Sequence, residues 1–163
     1  VDAREIYQDK PGHDEIEAFL ETRANAVLGT MNRDGSIHLA FMLFLYENGK
    51  LYFETASSTV KACNVAARPT ASFAVDAKGF MAMAQGTARL IDGDEAAAIN
   101  ARLRAKYLTA EAAASVGTAW ATIDDVSIEL SPTRWRSWSN DKFGRLSMEA
   151  ANGLPPKEWW IGD

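Results

Sequence analysis

The chain is poor in the residues that usually announce a chemistry. It has one cysteine, Cys63, so no disulfide can close within one copy, and a reducing compartment is the natural expectation. Its two histidines, His13 and His38, are far apart in sequence and supply no Cys/His metal set, so no metal site is expected. Positive charge is in deficit: 17 lysines and arginines face 22 acids, a net charge of -5. That balance argues against a broad nucleic-acid surface, though not against one small anion held by a local basic cluster. No apolar run approaches the roughly 18–20 residues of a membrane-spanning helix, so no membrane partner is expected. The longest, Leu39 to Tyr46, has the length of a buried strand. Residues 1–10 are polar and charged, unlike a secretory signal, and the expected location is cytoplasmic.

What is present reads as strands joined by tight turns. Ala26–Met31 is a short apolar strand, and Asn32-Arg33-Asp34-Gly35 supplies the positive φ angles of a hairpin turn. Ser36–Tyr46 reads as one long second strand, buried on both faces at its centre. Glu47-Asn48-Gly49-Lys50 is a second hairpin turn before a third strand, Leu51–Thr55. Thr70–Asp76 and Phe80–Ile91 follow as strands, with Gly86 marking a bulge or a close backbone approach. A sixth strand is expected over Trp120–Leu130, a break at Ser131-Pro132, and a seventh short strand over Arg134–Ser139. Helices are expected from Asp14 to Glu21, from Thr59 to before Arg68-Pro69, from Asp92 to about Leu108, and from Thr109 to about Val116. Within the third of these Ile99, Leu103 and Tyr107 form the inner stripe, leaving Arg102, Arg104 and Lys106 off it. From Asn140 no period is visible, and Trp159-Trp160 is a candidate clamp of the tail on a second copy. The absence of alternating strand–helix–strand units disfavours a parallel sheet; a mainly β fold, a small antiparallel barrel with peripheral helices, fits. Its edges need cover, and a second copy is one way to provide it. A single domain over residues 1–163 is expected: an arm and helix to 24, the barrel with inserted helices over 25–139, and a tail over 140–163.

One stretch points to a ligand. Tyr52 to Val65 reads as a strand end, a hydroxyl-rich turn of Ser57, Ser58 and Thr59, and a helix with Lys61 in its first turn. The free N–H groups and partial positive charge of a helix start attract anions, and hydroxyls with an ammonium make a phosphate site. The plainer alternative is a capped surface helix with a solvated lysine. On this helix Lys61, Asn64 and Arg68 share one face, expected to look outward with Arg68 as a second charge. Val60, Cys63 and Ala67 share another, expected to lie on the barrel with Cys63 a small buried hydrophobe.

The ordered set of segments resembles the pyridoxamine-5′-phosphate-oxidase-like, FMN-binding split-barrel superfamily. The segments are Val27 to His38, Gly49 to Thr55, Lys61 to Pro69, Ala71 to Asp76 and Gln85 to Ala88. The resemblance implies a six-stranded antiparallel split β-barrel, a homodimer, and a flavin (FMN) or the deazaflavin coenzyme F-420 in a groove between subunits. Carried over residue by residue, it assigns the cofactor phosphate to Thr55, Ser57, Ser58, Thr59 and Lys61, and runs the ring along His38, Ala40 and Met42. Trp138 and Arg136 are candidates for the substrate side of the groove, and Leu39, Phe41, Met42 and Leu43 for an apolar wall. The chain departs from true pyridoxamine-phosphate oxidases. Their C-terminal arginine- and histidine-containing motif is missing from Lys157 to Asp163, and no arginine stands in Ala26–Met31. The resemblance therefore implies an FMN- or F-420-dependent oxidoreductase that passes hydride to or from a small substrate, rather than an oxidase of vitamin B6. The alternative is a non-catalytic flavin- or haem-binding protein on the same fold. Haem is disfavoured, because a lone strand histidine such as His38 is more often structural than an axial ligand.

Overall fold

The computed structural model describes residues 13–77 and 79–150. The arm over 1–12 and the tail with Pro155-Pro156 and Trp159-Trp160 lie outside the described residues. In chain order the elements are α1 (His13–Leu20), β1 (Ala26–Met31), β2 (Ile37–Met42), β3 (Leu45–Glu47), β4 (Lys50–Ala56) and α2 (Val60–Ala67). They continue with β5 (Thr70–Ala77), β6 (Phe80–Ile91), α3 (Gly93–Tyr107), α4 (Ala110–Trp120), β7 (Asp125–Ser139) and α5 (Asn140–Ala150).

The strands form one seven-stranded sheet in the order β2-β1-β5-β6-β7-β4-β3, and every adjacent pair is antiparallel. The expected second strand is thus two segments. β2 pairs with β1 at one edge and β3 pairs with β4 at the other, yet only Leu43 and Phe44 separate them. Two residues span less than about 8 Å, so the edges must come together and the sheet must curl. The inner face of the curl holds Leu28, Phe44, Phe53, Phe73, Ile128 and Leu130, all 0–2% exposed. Phe44, at the bend, packs edge-on against Phe73 with ring centroids 5.2 Å apart. A second, smaller core joins α3 to the outside of β3 and β4 through Leu45, Tyr52, Ile99 and Leu103.

Both hairpin turns form where expected. Asn48 and Gly49 have φ of 51° and 78°, the pair of positive values that a two-residue hairpin turn requires. Three expectations need correction. Trp120 ends α4 and does not begin a strand. Pro132 does not break β7: it stands opposite Gly86, and the next residue, Thr133, is the extra residue of a bulge before Arg134 resumes the register opposite Gln85. Residues 140–150 form a helix instead of an aperiodic tail.

Gly86 is held by sterics and not by a special φ. A Cβ there would lie 2.0 Å from Ser131 O and 2.8 Å from Ser131 C, both backbone atoms. Gly86→Ala is therefore expected to lower stability by about 1–3 kcal/mol in denaturant unfolding. A loss within the error of the measurement would show that the bulge yields freely.

Candidate functional site

The hydroxyl turn forms as a helix start. Thr59 is the N-cap of α2, and its hydroxyl accepts from Ala62 N–H at 3.4 Å and donates to Ala56 O at 2.9 Å. Thr55, buried at the end of β4, lies 3.0 Å from that hydroxyl and so must donate to it. The protons of both threonines are spent on the turn itself. Ser57 donates to the Asp124 carboxylate, and its backbone N–H is bonded to Asp124 O at 2.9 Å. Ser58 is exposed, with a free hydroxyl. The donors left for a ligand are the Ser58 hydroxyl, the first-turn N–H groups of Val60 and Lys61, and the Lys61 ammonium.

The two faces of α2 are the reverse of the sequence-based expectation. Ala62, Asn64 and Val65 are buried, whereas Val60 and Cys63 are exposed. The cause is a polar network between distant segments. Asn64 Nδ2 donates to Thr30 Oγ1 at 3.2 Å and to Asn32 Oδ1 at 2.9 Å. Arg68 Nε donates to Met31 O at 2.8 Å, and its Nη2 donates to Asn64 Oδ1 at 3.1 Å. Arg68 fastens the helix to β1 and is not a second charge at the anion position.

Lys61 differs from Arg68. It is partly buried, and among the described residues no carboxylate pairs with it. Burial alone pushes its pKa down. It lines a cavity of about 380 Å³ together with Thr55, Thr59, Phe41, Met42, Leu43, Leu103 and Trp120. A mainly apolar hollow of this size with an ammonium on its wall suits a flat anionic molecule.

The same wall carries charges that sequence reasoning missed. Glu54, from β4, is ion-paired with Arg104 of α3, which also reaches Asp125 Oδ2 at 3.8 Å. Their side chains are only 10%, 11% and 15% exposed. Burial, reinforced by the Asp125 charge and opposed by Arg104, pushes the Glu54 carboxyl up to about 7. A signal existed: Asn100, Leu103, Arg104 and Tyr107 lie at i, i+3, i+4 and i+7, one helical face, so Arg104 belongs to the packed side.

The other candidates are dispersed. His38 and Ala40 sit on β2 beside Thr30 and Leu28 of β1, half-buried and outside the cavity lining; Met42 lines it. Arg136 lines a different hollow, of about 240 Å³, with Val27, Gly29, Ile37, Leu39 and Met83. Trp138 stacks near Phe143, centroids 5.2 Å apart, and its indole N–H donates to Asn140 Oδ1 at 3.1 Å. Between the hollows runs the outer row of β2, where Ile37, Leu39 and Phe41 are 59%, 65% and 83% exposed. Among the described residues no group of three His, Cys, Asp or Glu could hold a metal ion, and no helix is long and apolar enough to cross a membrane.

The family model for pyridoxamine 5′-phosphate oxidase matches residues 13–139, most of the chain. The chain belongs to that family. Its fold is that of the FMN-binding split-barrel superfamily, which includes deazaflavin-related members. Solved structures agree. A conserved hypothetical protein from Mycobacterium tuberculosis is 22% identical with TM-score 0.72, over 83% of this chain and 89% of that one. An F420 reductase is 23% identical with TM-score 0.58, over 73% and 94%. A haem storage protein from Vibrio cholerae is 14% identical with TM-score 0.63, over 78% and 94%. At these identities the likeness is one of fold. No curated protein sequence matches the chain.

Two outcomes follow. Arg68→Ala is expected to cost about 1 kcal/mol of stability, from its lost hydrogen bonds, while changing anion affinity less than twofold; a large loss of affinity would return Arg68 to the site. Glu54 holds its proton more tightly folded than unfolded. It therefore contributes stability fully present below its ordinary value of 4.5, which is lost as pH rises toward 7. Chemical denaturation should show the wild type losing stability relative to Glu54→Gln across that window, and a constant difference would refute the shift.

Proposed function

We propose that the protein binds FMN or coenzyme F-420 by a phosphate at the start of α2 and acts as an oxidoreductase that exchanges hydride with a small substrate. Lys61 carries this reading. A partly buried ammonium that no carboxylate pairs with among the described residues, at a helix start and on the wall of a mainly apolar cavity, has the chemistry of an anion site. The fit is chemical as well as spatial. Val60 and Lys61 N–H, the Ser58 hydroxyl and the Lys61 ammonium are four donor groups for phosphate oxygens, while Phe41, Met42, Leu43 and Trp120 offer apolar area to a ring. The bound coenzyme supplies the hydride chemistry. The chain's part is to anchor the phosphate, fix the ring's orientation and keep water from it.

The second part of the proposal is a homodimer. The exposed row Ile37, Leu39 and Phe41 connects the two hollows, and a second copy laid on it would cover the apolar surface and the open side of both. Arg136 and Met83 would then face the same groove as Lys61, contributed across the seam. Vitamin B6 oxidation is not proposed, because β1 offers no arginine.

Purified protein should be yellow or bind added FMN. Lys61→Ala is expected to weaken that binding by about 1.5–3 kcal/mol, the range for a charge-assisted hydrogen bond. Reduction of the bound coenzyme, then reoxidation by an added acceptor, distinguishes an enzyme from a carrier. A Soret band in place of flavin absorbance would replace this reading with haem binding, and an unchanged dissociation constant in Lys61→Ala would remove the anchor.

A further inference from the structure

The charged cluster in the cavity wall has no part in gripping a phosphate. Glu54 is ion-paired with Arg104 Nη1, and Asp125 Oδ2 lies 3.8 Å from the same nitrogen. Two carboxylates share one guanidinium in a nearly dry place. Two bare carboxylates cannot bond to each other, because each only accepts; one shared proton turns the repulsion into a bond. Hydrogen-bond accounting leads independently to the same point. Asn100 Oδ1 and Asp125 Oδ1 are buried acceptors without a partner, and the nearby Ser127 hydroxyl, also unpartnered, has one proton to give. The cluster is short of protons and rich in acceptors. The charged and titratable groups facing it can be named element by element: Glu54 from β4, Arg104 from α3, Asp125 from β7, and Lys61 from α2 on the same cavity. The nearest residues of α4, Val116 and Trp120, are uncharged.

We propose that Glu54, which shares the Arg104 guanidinium with Asp125, takes up a proton when an anion enters the cavity, so that Glu54 sets which ligand charge the cavity accepts. The inference rests on the anion reading of Lys61. Glu54 precedes Thr55, whose hydroxyl is 3.0 Å from the N-cap of the Lys61 helix, so carboxyl and ammonium act on one space. An arriving anion raises the proton affinity of a neighbouring carboxylate, and by linkage the proton raises the affinity for the anion. Anion and solvent proton enter together, and no bond in the ligand changes.

Sulfate is the probe, because its charge is constant between pH 6 and pH 8. Binding is followed by the backbone amide shifts of Val60 and Lys61. With the Glu54 carboxyl pushed up to about 7, wild-type affinity should fall up to about tenfold from pH 6 to pH 8. Glu54→Gln should bind at pH 8 as tightly as the wild type does at pH 6, with no slope. Asp125→Asn, which removes the like charge, should also be flat across this range. A flat wild type overturns the proposal. So does a slope that persists in Glu54→Gln, which would belong to Lys61. FMN is then titrated as a separate arm. A sulfate slope without FMN binding keeps the proton linkage and removes the flavin reading, whereas failure of both ligands to bind removes both.

Discussion

Residues 37–47 hydrogen-bond to both edges of the same sheet, and much of the architecture follows from that constraint. β2 lies on β1 and β3 on β4, with only Leu43 and Phe44 between them. The sheet has to curl until its edges meet, and the curl makes the inner core. It also fixes what is left outside. At the bend Phe44 turns into the core, while Leu43 and Phe41 stay out and form the wall of the cavity below α2. The outer row of β2 is left apolar and exposed, the surface on which the proposed second copy would rest. Core, cavity wall and apolar seam come from one bent run of chain.

Electrostatics divides that cavity into two halves of opposite kind. On the α2 side Lys61 is a cation that no carboxylate pairs with among the described residues, and burial makes its proton easier to lose. On the α3 side Glu54 and Asp125 are two acids for one arginine, and burial makes a proton on Glu54 harder to lose. Neither half is balanced by the chain. Elsewhere the ion pairs sit away from this cavity: Glu129 bonds Arg89 and Lys50, and Glu47 bonds Arg102. Two perturbed titratable groups, Lys61 and Glu54, on the lining of one hollow are the pattern expected of a binding site.

The strands were legible in the sequence where local chemistry decides. β6 runs over Phe80–Ile91 as alternation and flanking turns imply, and Asn48-Gly49 makes the turn its φ preferences demand. Features set by distant partners were not legible. The split of β2 from β3 depends on which edges are free. Pro132 sits beside a bulge of its own strand, where Thr133 is the extra residue opposite Gln85 and Gly86. The orientation of α2 is set by Asn64 meeting Thr30 and Asn32, two residues of another segment. The hydroxyl turn that starts α2 was visible as a pattern, since caps are local, but the spending of the Thr55 and Thr59 protons within it was not. The Glu54–Arg104–Asp125 cluster joins three elements, and its acids read singly as a strand residue and a turn.

Everything functional here depends on Lys61 being an ammonium that awaits an anion. The direct measurement is the pKa of Lys61 by side-chain NMR, in the free protein and with FMN added. The account predicts a value below the ordinary 10.5 in the free protein and a rise when FMN binds, as the phosphate compensates the buried charge. An ordinary value that FMN leaves unmoved would contradict it.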